Sequence, residues 1–183
     1  MSPQPTGVGR QGPGCLDASF WNAAFQAGAL GYALQFHNLH APTAVEREIN
    51  SEPPPRQRPK AAMFNALRAT GGLQITDPAQ ITVNVYGPGD RAVLSLGRER
   101  SWPVLVNDAR PHGYARLQLG LDAVSVPELL VLAVHAGWLP KGEGLAMLQR
   151  IAPITGATLM QVATLAISQY PSARAREGGH DDG

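Results

Sequence analysis

The sequence predicts an α/β protein, a three-layer α/β/α sandwich around a mostly parallel central sheet. Three observations predict it. Short apolar runs rich in strand formers alternate along the chain with longer segments of helical spacing, the order expected of βαβ units. Val104, Leu105 and Val106 form an unbroken apolar run that stops abruptly at Asn107 and Asp108, as a strand buried on both faces does. The 183 residues, 44% of them hydrophobic, suffice for one domain with its own core.

Residues 1–14, rich in Pro and Gly, have no apolar core of a signal peptide and are expected to be a disordered tail. Cys15, Leu16 and Asp17 then lead into an Ala-rich helix over 20–27, with Ser19 as candidate N-cap and Gly28 as its stop. A short helix over 29–36 and a short strand over 37–41 follow. Pro42 opens a helix over 43–50, where Val45 and Ile49 form the buried stripe, Glu48 borders it, and Glu46 falls on the opposite side. The Pro-rich stretch 52–60 is expected to be an exposed, stiffened loop. Residues 61–70 return to helix and end at Gly71 and Gly72. Two alternating segments, 73–76 and 81–85, read as strands separated by the turn at Asp77 and Pro78. A helix over 90–100 buries Ala92, Val93 and Leu96, and has Asp90 in its first turn.

After the run at 104–106, taken as the central strand, residues 109–119 read as helix. That junction is half of a βαβ unit, and in open parallel sheets the ligand crevice lies outside the carboxyl ends of the strands. Asp108 therefore stands where such a protein does its chemistry; capping the following helix is its plainer role. A strand over 121–126 is expected next. Helices follow over 127–137, with Glu128 in the first turn, over 143–151, and over 159–168, where Leu159, Val162, Leu165 and Ala166 share a face. Residues 171–183 are polar and expected to be a disordered tail. One domain over 15–170 is expected, with no internal repeat.

Composition narrows the function classes. A net charge of +1 offers no bulk attraction for nucleic acid. Arginines do cluster, at Arg56 and Arg58 beside Lys60, and at Arg91, Arg98 and Arg100. Arginine suits bidentate phosphate contact, although scattered surface arginines are common. A single cysteine permits no internal disulfide or Cys-based zinc site, and suits a reducing, cytoplasmic setting. No apolar run approaches the roughly 20 residues that span a bilayer.

Four acids share a pattern. Asp17 and Asp108 each follow a strand, Glu48 lies on the inner border of a helix, and Asp90 begins one. Each has a structural role available: capping for the three aspartates, a solvated helix surface for Glu48. Taken together, LDAS (16–19), PTAVEREI (42–49), GDRA (89–92) and VLVND (104–108) resemble, in order and spacing, the four acidic motifs of PIN-domain nucleases. The segment VPELLVLAVHAGWLP (126–140) is similar to the helix-Ala-x-x-x-Gly-Leu-Ile/Leu-Pro pattern of one PIN branch, whose members are described as predicted nucleic-acid-binding proteins. Better-known relatives of that branch are the toxin ribonucleases of toxin–antitoxin pairs. The resemblance covers residues 15–168.

The resemblance implies a PIN-like, Rossmann-like fold. In it Asp17, Glu48, Asp90 and Asp108 converge at the carboxyl edge of the sheet and hold one or two Mg²⁺ or Mn²⁺ ions, which activate water for in-line attack on an RNA phosphodiester. Ser19 and Asn107, next to the acids, are placed to orient a water or the phosphate. It further implies an RNA substrate, a homodimer and, for a toxin, an antitoxin protein. Phe20, Trp21, Phe25 and the helix over 159–168 offer apolar surface for such contacts, or else pack in the core. Asp90 departs from the branch, which typically has Glu there. A non-catalytic nucleic-acid-binding or scaffold PIN domain is the alternative. Other Rossmann-like enzymes fit less well. The chain has no Gly-rich dinucleotide loop, no Gly-Lys-Ser/Thr phosphate loop, and Ser19 where haloacid-dehalogenase phosphatases have a second Asp. Its five histidines form no His-Glu-x-x-His pair, and His112 is expected to be a solvated helix residue.

Overall fold

The computed structural model describes residues 11–51 and 58–171. Expectations for residues 1–10, 52–57 and 172–183 lie outside the described residues. The chain runs β1 (Gln11–Leu16), α1 (Ala18–Ala27), α2 (Leu30–Phe36), β2 (His37–Ala41), α3 (Thr43–Ser51), α4 (Arg58–Ala69), β3 (Leu73–Ile75) and α5 (Pro88–Arg100). It continues through β4 (Val104–Leu105), α6 (Ala109–Leu117), β5 (Ala123–Val124), α7 (Val126–His135), α8 (Lys141–Ile151), a 3₁₀ turn (Ala152–Ile154) and α9 (Ala157–Gln169). The strands form one sheet in the order β3-β2-β1-β4-β5, every pair parallel, with helices packed around it as an α/β/α sandwich.

This order has a functional consequence. The chain winds outward from β1 through β2 to β3, then crosses back to lay β4 against the free side of β1. Right-handed crossovers put the connections made in the two directions on opposite faces of the sheet. Between β1 and β4 the two sets of connections diverge and leave a crevice at the carboxyl ends. Asp17 and Asp108 follow those two strands.

The core lies against both strands. Cys15, Leu16, Val104 and Leu105 are wholly buried, as are Phe20, Trp21 and Phe64. The Trp21 ring meets Phe64 edge to face at 5.2 Å, locking α1 to α4 in the arrangement aromatic quadrupoles prefer. Helix α3 touches α1, α4 and α5, and so reaches the crevice from the side. Among the described residues no helix is long and apolar enough to cross a membrane.

Several expectations need correction. Residues 11–14 are not tail but strand, and the middle of the sheet belongs to β1, with β4 beside it. Pro13 and two glycines hide that strand from a propensity reading. Gly14 is there for space: a Cβ would come within 3.0 Å of the His37 ring on β2. Residues 81–85 form no strand. The Thr82 and Val83 N–H groups donate to the Ser95 hydroxyl (3.0 and 3.1 Å), so α5 supplies the partner an adjacent strand would have. Helix α4 starts at Arg58, inside the stretch expected to be loop, with Pro59 in its first turn where a missing N–H costs nothing.

Helix α3 buries Val45 and Ile49 as its pattern suggests, but its acids are placed otherwise. Glu46 is half-buried and paired with Arg68, whereas Glu48 is exposed. In α9 the packing face is Ala163 and Ile167, leaving Val162 62% and Leu165 58% exposed. Phe20 and Trp21 pack in the core, the plainer of the two roles open to them. His112 is buried as well, its Nε2 2.9 Å from the Glu128 carboxylate.

Candidate active site

Asp17 is the first residue beyond β1, and its N–H donates to Leu105 O across the crevice (3.0 Å). The parallel register, Cys15 opposite Val104 and Leu16 opposite Leu105, therefore sets Asp17 beside the end of β4. Its carboxylate is 2% exposed. Oδ1 accepts the Phe20 N–H (2.6 Å), which makes Asp17 the N-cap of α1 in place of the expected Ser19. Oδ2 accepts the Ser19 hydroxyl at 2.7 Å.

Burial pushes the Asp17 carboxyl from an ordinary 3.8 up to about 8; the hydrogen bonds from Phe20 and Ser19 pull the other way, and the charges of Asp90 and Asp108 add to the rise. The cysteine one turn of strand earlier, Cys15, is also pushed up by burial and by Asp17. A thiol so placed is a packing group and not a nucleophile.

Ser19 does more than orient one carboxylate. Its Oγ accepts the N–H groups of both Asn107 and Asp108 (3.1 Å each) while its proton goes to Asp17. One hydroxyl thus ties the first turn of α1 to the loop after β4 and fixes the separation of the two acidic positions. Asn107 is committed elsewhere. Its Nδ2 donates to Thr155 Oγ1 (3.1 Å) and its Oδ1 accepts the Val126 N–H (3.3 Å), so it fastens β4 to α7 and to the turn before α9.

Asp108 occupies the N-cap position of α6, is exposed, and makes no capping hydrogen bond with its side chain. Asp90 is the third residue of α5; its carboxylate accepts the Gly87 N–H at 3.3 Å. Burial raises the Asp90 carboxyl above its ordinary value, the Gly87 bond opposes that, and Asp108 raises it further. Asp17, Asp90 and Asp108 thus come from three separate parts of the chain and feel one another's charge.

Glu48 approaches from α3. Its carboxylate lies over Gly89, so close that a Cβ there would stand 2.6 Å from Oε2. Gly89 precedes Asp90, so the Glu48 carboxylate lies against the first turn of α5. Carboxylate oxygen is the donor type hard divalent cations take. Among the described residues, though, no three Asp, Glu, His or Cys side chains are grouped tightly enough to hold a metal ion by themselves.

A second polar cluster was not legible as a unit. Glu128 accepts the Ser125 N–H (2.7 Å) and hydroxyl (2.8 Å), meets His112 Nε2 at 2.9 Å, and receives Arg116 Nη1 at 2.9 Å. Burial alone would raise the Glu128 carboxyl, but the His112 and Ser125 hydrogen bonds outweigh it and bring it down to about 2. Every oxygen is used, so the cluster staples α6 to α7 and leaves nothing for a ligand. In the sequence Glu128 reads only as a first-turn acid and His112 as a solvated helix residue, with nothing to join them.

Fold and site together define a parallel α/β domain in which Asp17, Asp90 and Asp108 come close enough to feel one another's charge near the carboxyl ends of β1 and β4. Comparison with protein-family models, with curated proteins and with solved structures returns no match. The residues of the pocket are therefore what a functional reading stands on.

Proposed function

We propose that the protein is a metal-dependent ribonuclease that hydrolyses RNA phosphodiester bonds at the pocket formed by Asp17, Asp90 and Asp108, with Glu48 at its edge. One observation carries the reading. Asp17 is a carboxylate buried at the switch point, raised first by burial and further by the charges of Asp90 and Asp108, and a bound cation is what would let it carry its charge at neutral pH. The resemblance to PIN-domain nucleases supports the same assignment of these four acids.

Mg²⁺ or Mn²⁺ fits an all-carboxylate donor set, and Mg²⁺ commonly takes only one or two carboxylates and keeps several waters, which suits acids gathered but not caged. One or two of Asp17, Asp90 and Asp108 would hold it directly, and once bound it would polarise a phosphoryl oxygen and lower the pKa of water. The chain's own part is positional. Ser19 holds Asp17 and the start of α6 in fixed relation, the Phe20 N–H keeps Asp17 aimed along the crevice, and Gly89 gives Glu48 its approach. RNA is the substrate in this reading. An antitoxin protein, a second copy of the chain and a cytoplasmic setting are what the toxin version adds.

The test is cleavage of a broad panel of labelled RNAs by the purified chain with Mn²⁺ or Mg²⁺. Asp17→Asn and Asp108→Asn each abolish the metal-dependent cleavage if the reading is right. No cleavage by the unaltered protein across the panel, with either metal, ends it. A second reading, a nucleic-acid-binding domain without turnover, is favoured by the spacing of the acids, which falls short of a ready three-residue group. Salt-sensitive RNA binding that persists in EDTA, with no product, selects that alternative.

A further inference from the structure

A groove of about 570 Å³ runs between α3 and α5, and neither Glu48 nor Asp90 lines it. It is lined by Thr43, Arg47, Asp77, Pro78, Pro88 and Arg91 among others. Arg47 precedes Glu48 and Arg91 follows Asp90. On a helix, neighbouring residues point about 100° apart, so each helix turns its acid toward the pocket and its arginine toward the groove. Pro88 is a groove wall, Gly89 receives the Glu48 carboxylate, and Asp90 is in the pocket. Pocket and groove thus share the first turn of α5.

The two arginines are uncommitted. Arg68 pairs with Glu46, Arg100 with Glu99 and Arg116 with Glu128, but among the described residues neither Arg47 nor Arg91 has a carboxylate partner. The anion within the groove, Asp77, is already occupied: Oδ1 accepts the Thr43 N–H (2.8 Å) and Oδ2 the Thr43 hydroxyl (2.7 Å), at the start of α3 where the helix dipole further offsets its charge. The groove therefore presents two guanidinium groups without a carboxylate partner beside one carboxylate whose two oxygens are taken up by Thr43. Guanidinium forks match phosphate oxygens in geometry and keep their charge at any working pH.

We infer that Arg47 and Arg91 form a phosphate track that holds the backbone of single-stranded RNA next to the acidic pocket. The inference rests on the nuclease reading for its choice of ligand. It accounts for how a chain of net charge +1 engages a polyanion: the positive charge is local, two side chains deep, and set one residue from each of two acids. A pocket of carboxylates alone repels a phosphodiester. Flanking cations that grip neighbouring phosphates supply the attraction the pocket lacks.

The test is binding of a labelled 12-nucleotide single-stranded RNA to the full chain in EDTA, titrated across salt concentrations. Arg47→Ala/Arg91→Ala is compared with the unaltered protein and with Arg98→Ala, an arginine on the same helix that lines a different cavity beside Glu99. Far-ultraviolet circular dichroism and thermal midpoint check that the variants fold. The expected result is affinity about 10- to 100-fold weaker for the double variant, with the slope of log affinity against log salt shallower by about 1.4, the release of about two counterions from a single strand. Arg98→Ala stays within about twofold, and the Arg47→Lys/Arg91→Lys variant recovers the slope but only part of the affinity. The inference is overturned if the folded double variant keeps the affinity and slope of the unaltered protein, or if the unaltered protein shows no salt-dependent RNA binding. Cleavage assays separate this from the nuclease reading. Arginine-dependent binding without turnover sinks catalysis and leaves the track, while turnover with KM unmoved in the double variant sinks the track and leaves catalysis.

Discussion

Replacing Asp17 by Asn is expected to stabilise the metal-free protein while it destroys activity, and the size of the gain depends on pH. The folded carboxyl titrates near 8 against an ordinary 3.8. That gap corresponds to roughly 6 kcal/mol between the two protonation states, at about 1.4 kcal/mol for each tenfold change in proton affinity. Because the folded value is raised, the native state binds the proton more tightly than the unfolded chain does. The associated stability is fully present below about pH 4 and is lost as pH rises through about 8. Near pH 7 the loss already amounts to about 4 kcal/mol. Asparagine cannot ionise and escapes it.

The substitution has its own cost. Asparagine caps a helix about as well as aspartate, so the Phe20 N–H keeps its acceptor. The Ser19 hydroxyl, which now sends its proton to Oδ2, must find another acceptor if the amide nitrogen takes that place, at about 1–2 kcal/mol. The net gain near pH 7 is about 2–3 kcal/mol, or a midpoint rise of roughly 4–12 °C for a chain of this length. Thermal unfolding in EDTA, followed by circular dichroism from about pH 4 to about pH 8, reads it directly. The two stability curves should cross at about pH 5, with the variant less stable by about 1 kcal/mol near pH 4 and increasingly more stable toward the alkaline end. A variant less stable than the unaltered protein near pH 8, or a difference that does not change with pH, would show that Asp17 is not a strained carboxylate.

Millimolar Mn²⁺ should raise the thermal midpoint of the unaltered protein by a few degrees and leave that of Asp17→Asn unmoved, since only a ligand bound to the native state shifts the midpoint. Gly89→Ala should change stability by less than about 1 kcal/mol, because the obstructing Glu48 carboxylate is the end of a flexible side chain that swings aside; turnover on RNA should nonetheless fall about tenfold, and unchanged turnover would remove Glu48 from the machinery. Ser19→Ala leaves the Asn107 and Asp108 N–H groups without their acceptor and should cost about 1–3 kcal/mol in urea unfolding, together with a loss of turnover that restoring the hydroxyl as Thr partly reverses. Glu128→Gln tests the opposite linkage. With the folded value lowered to about 2, its stabilisation is present above the ordinary carboxyl value and disappears as pH falls through about 2. The variant should therefore be about 1–2 kcal/mol less stable near pH 7 and level with the unaltered protein near pH 2.

What could be read in the sequence was whatever a local pattern encodes. The helices were legible because apolar spacing and Gly stops are local, as at Gly28 after α1 and Gly71 after α4. The strand at 104–105 was legible because a strand buried on both faces has no choice but to be apolar. Strand β1 was not, because its residues suit their neighbours in space: Gly14 exists for the His37 ring. Residues 81–85 alternate like a strand, yet their backbone is satisfied by Ser95, twelve or more residues onward. In α9 a spacing of three and four occurs on two faces, and the packing of Ala163 and Ile167, not the pattern, decides which is inside. The acids were visible as residues at strand and helix ends, but the direction of Glu48 toward Gly89 and the place of Arg47 in the groove depend on how α3 sits against α5. The three-way bond of Ser19 could not be foreseen either, since its partners lie 88 and 89 residues away.

The plainer account of the acids, that each caps a helix, can be weighed hydrogen bond by hydrogen bond. It explains Oδ1 of Asp17, which takes the Phe20 N–H, and it explains the Asp90 contact with Gly87. Neither of those bonds requires burial, and an exposed cap would perform as well at far less electrostatic cost. Asp108 decides more, because it holds the capping position of α6 and makes no capping bond at all. Its backbone N–H is instead drawn to the Ser19 hydroxyl, the group that also holds Asp17. The local rule is broken at the strand end where an open parallel sheet places its chemistry.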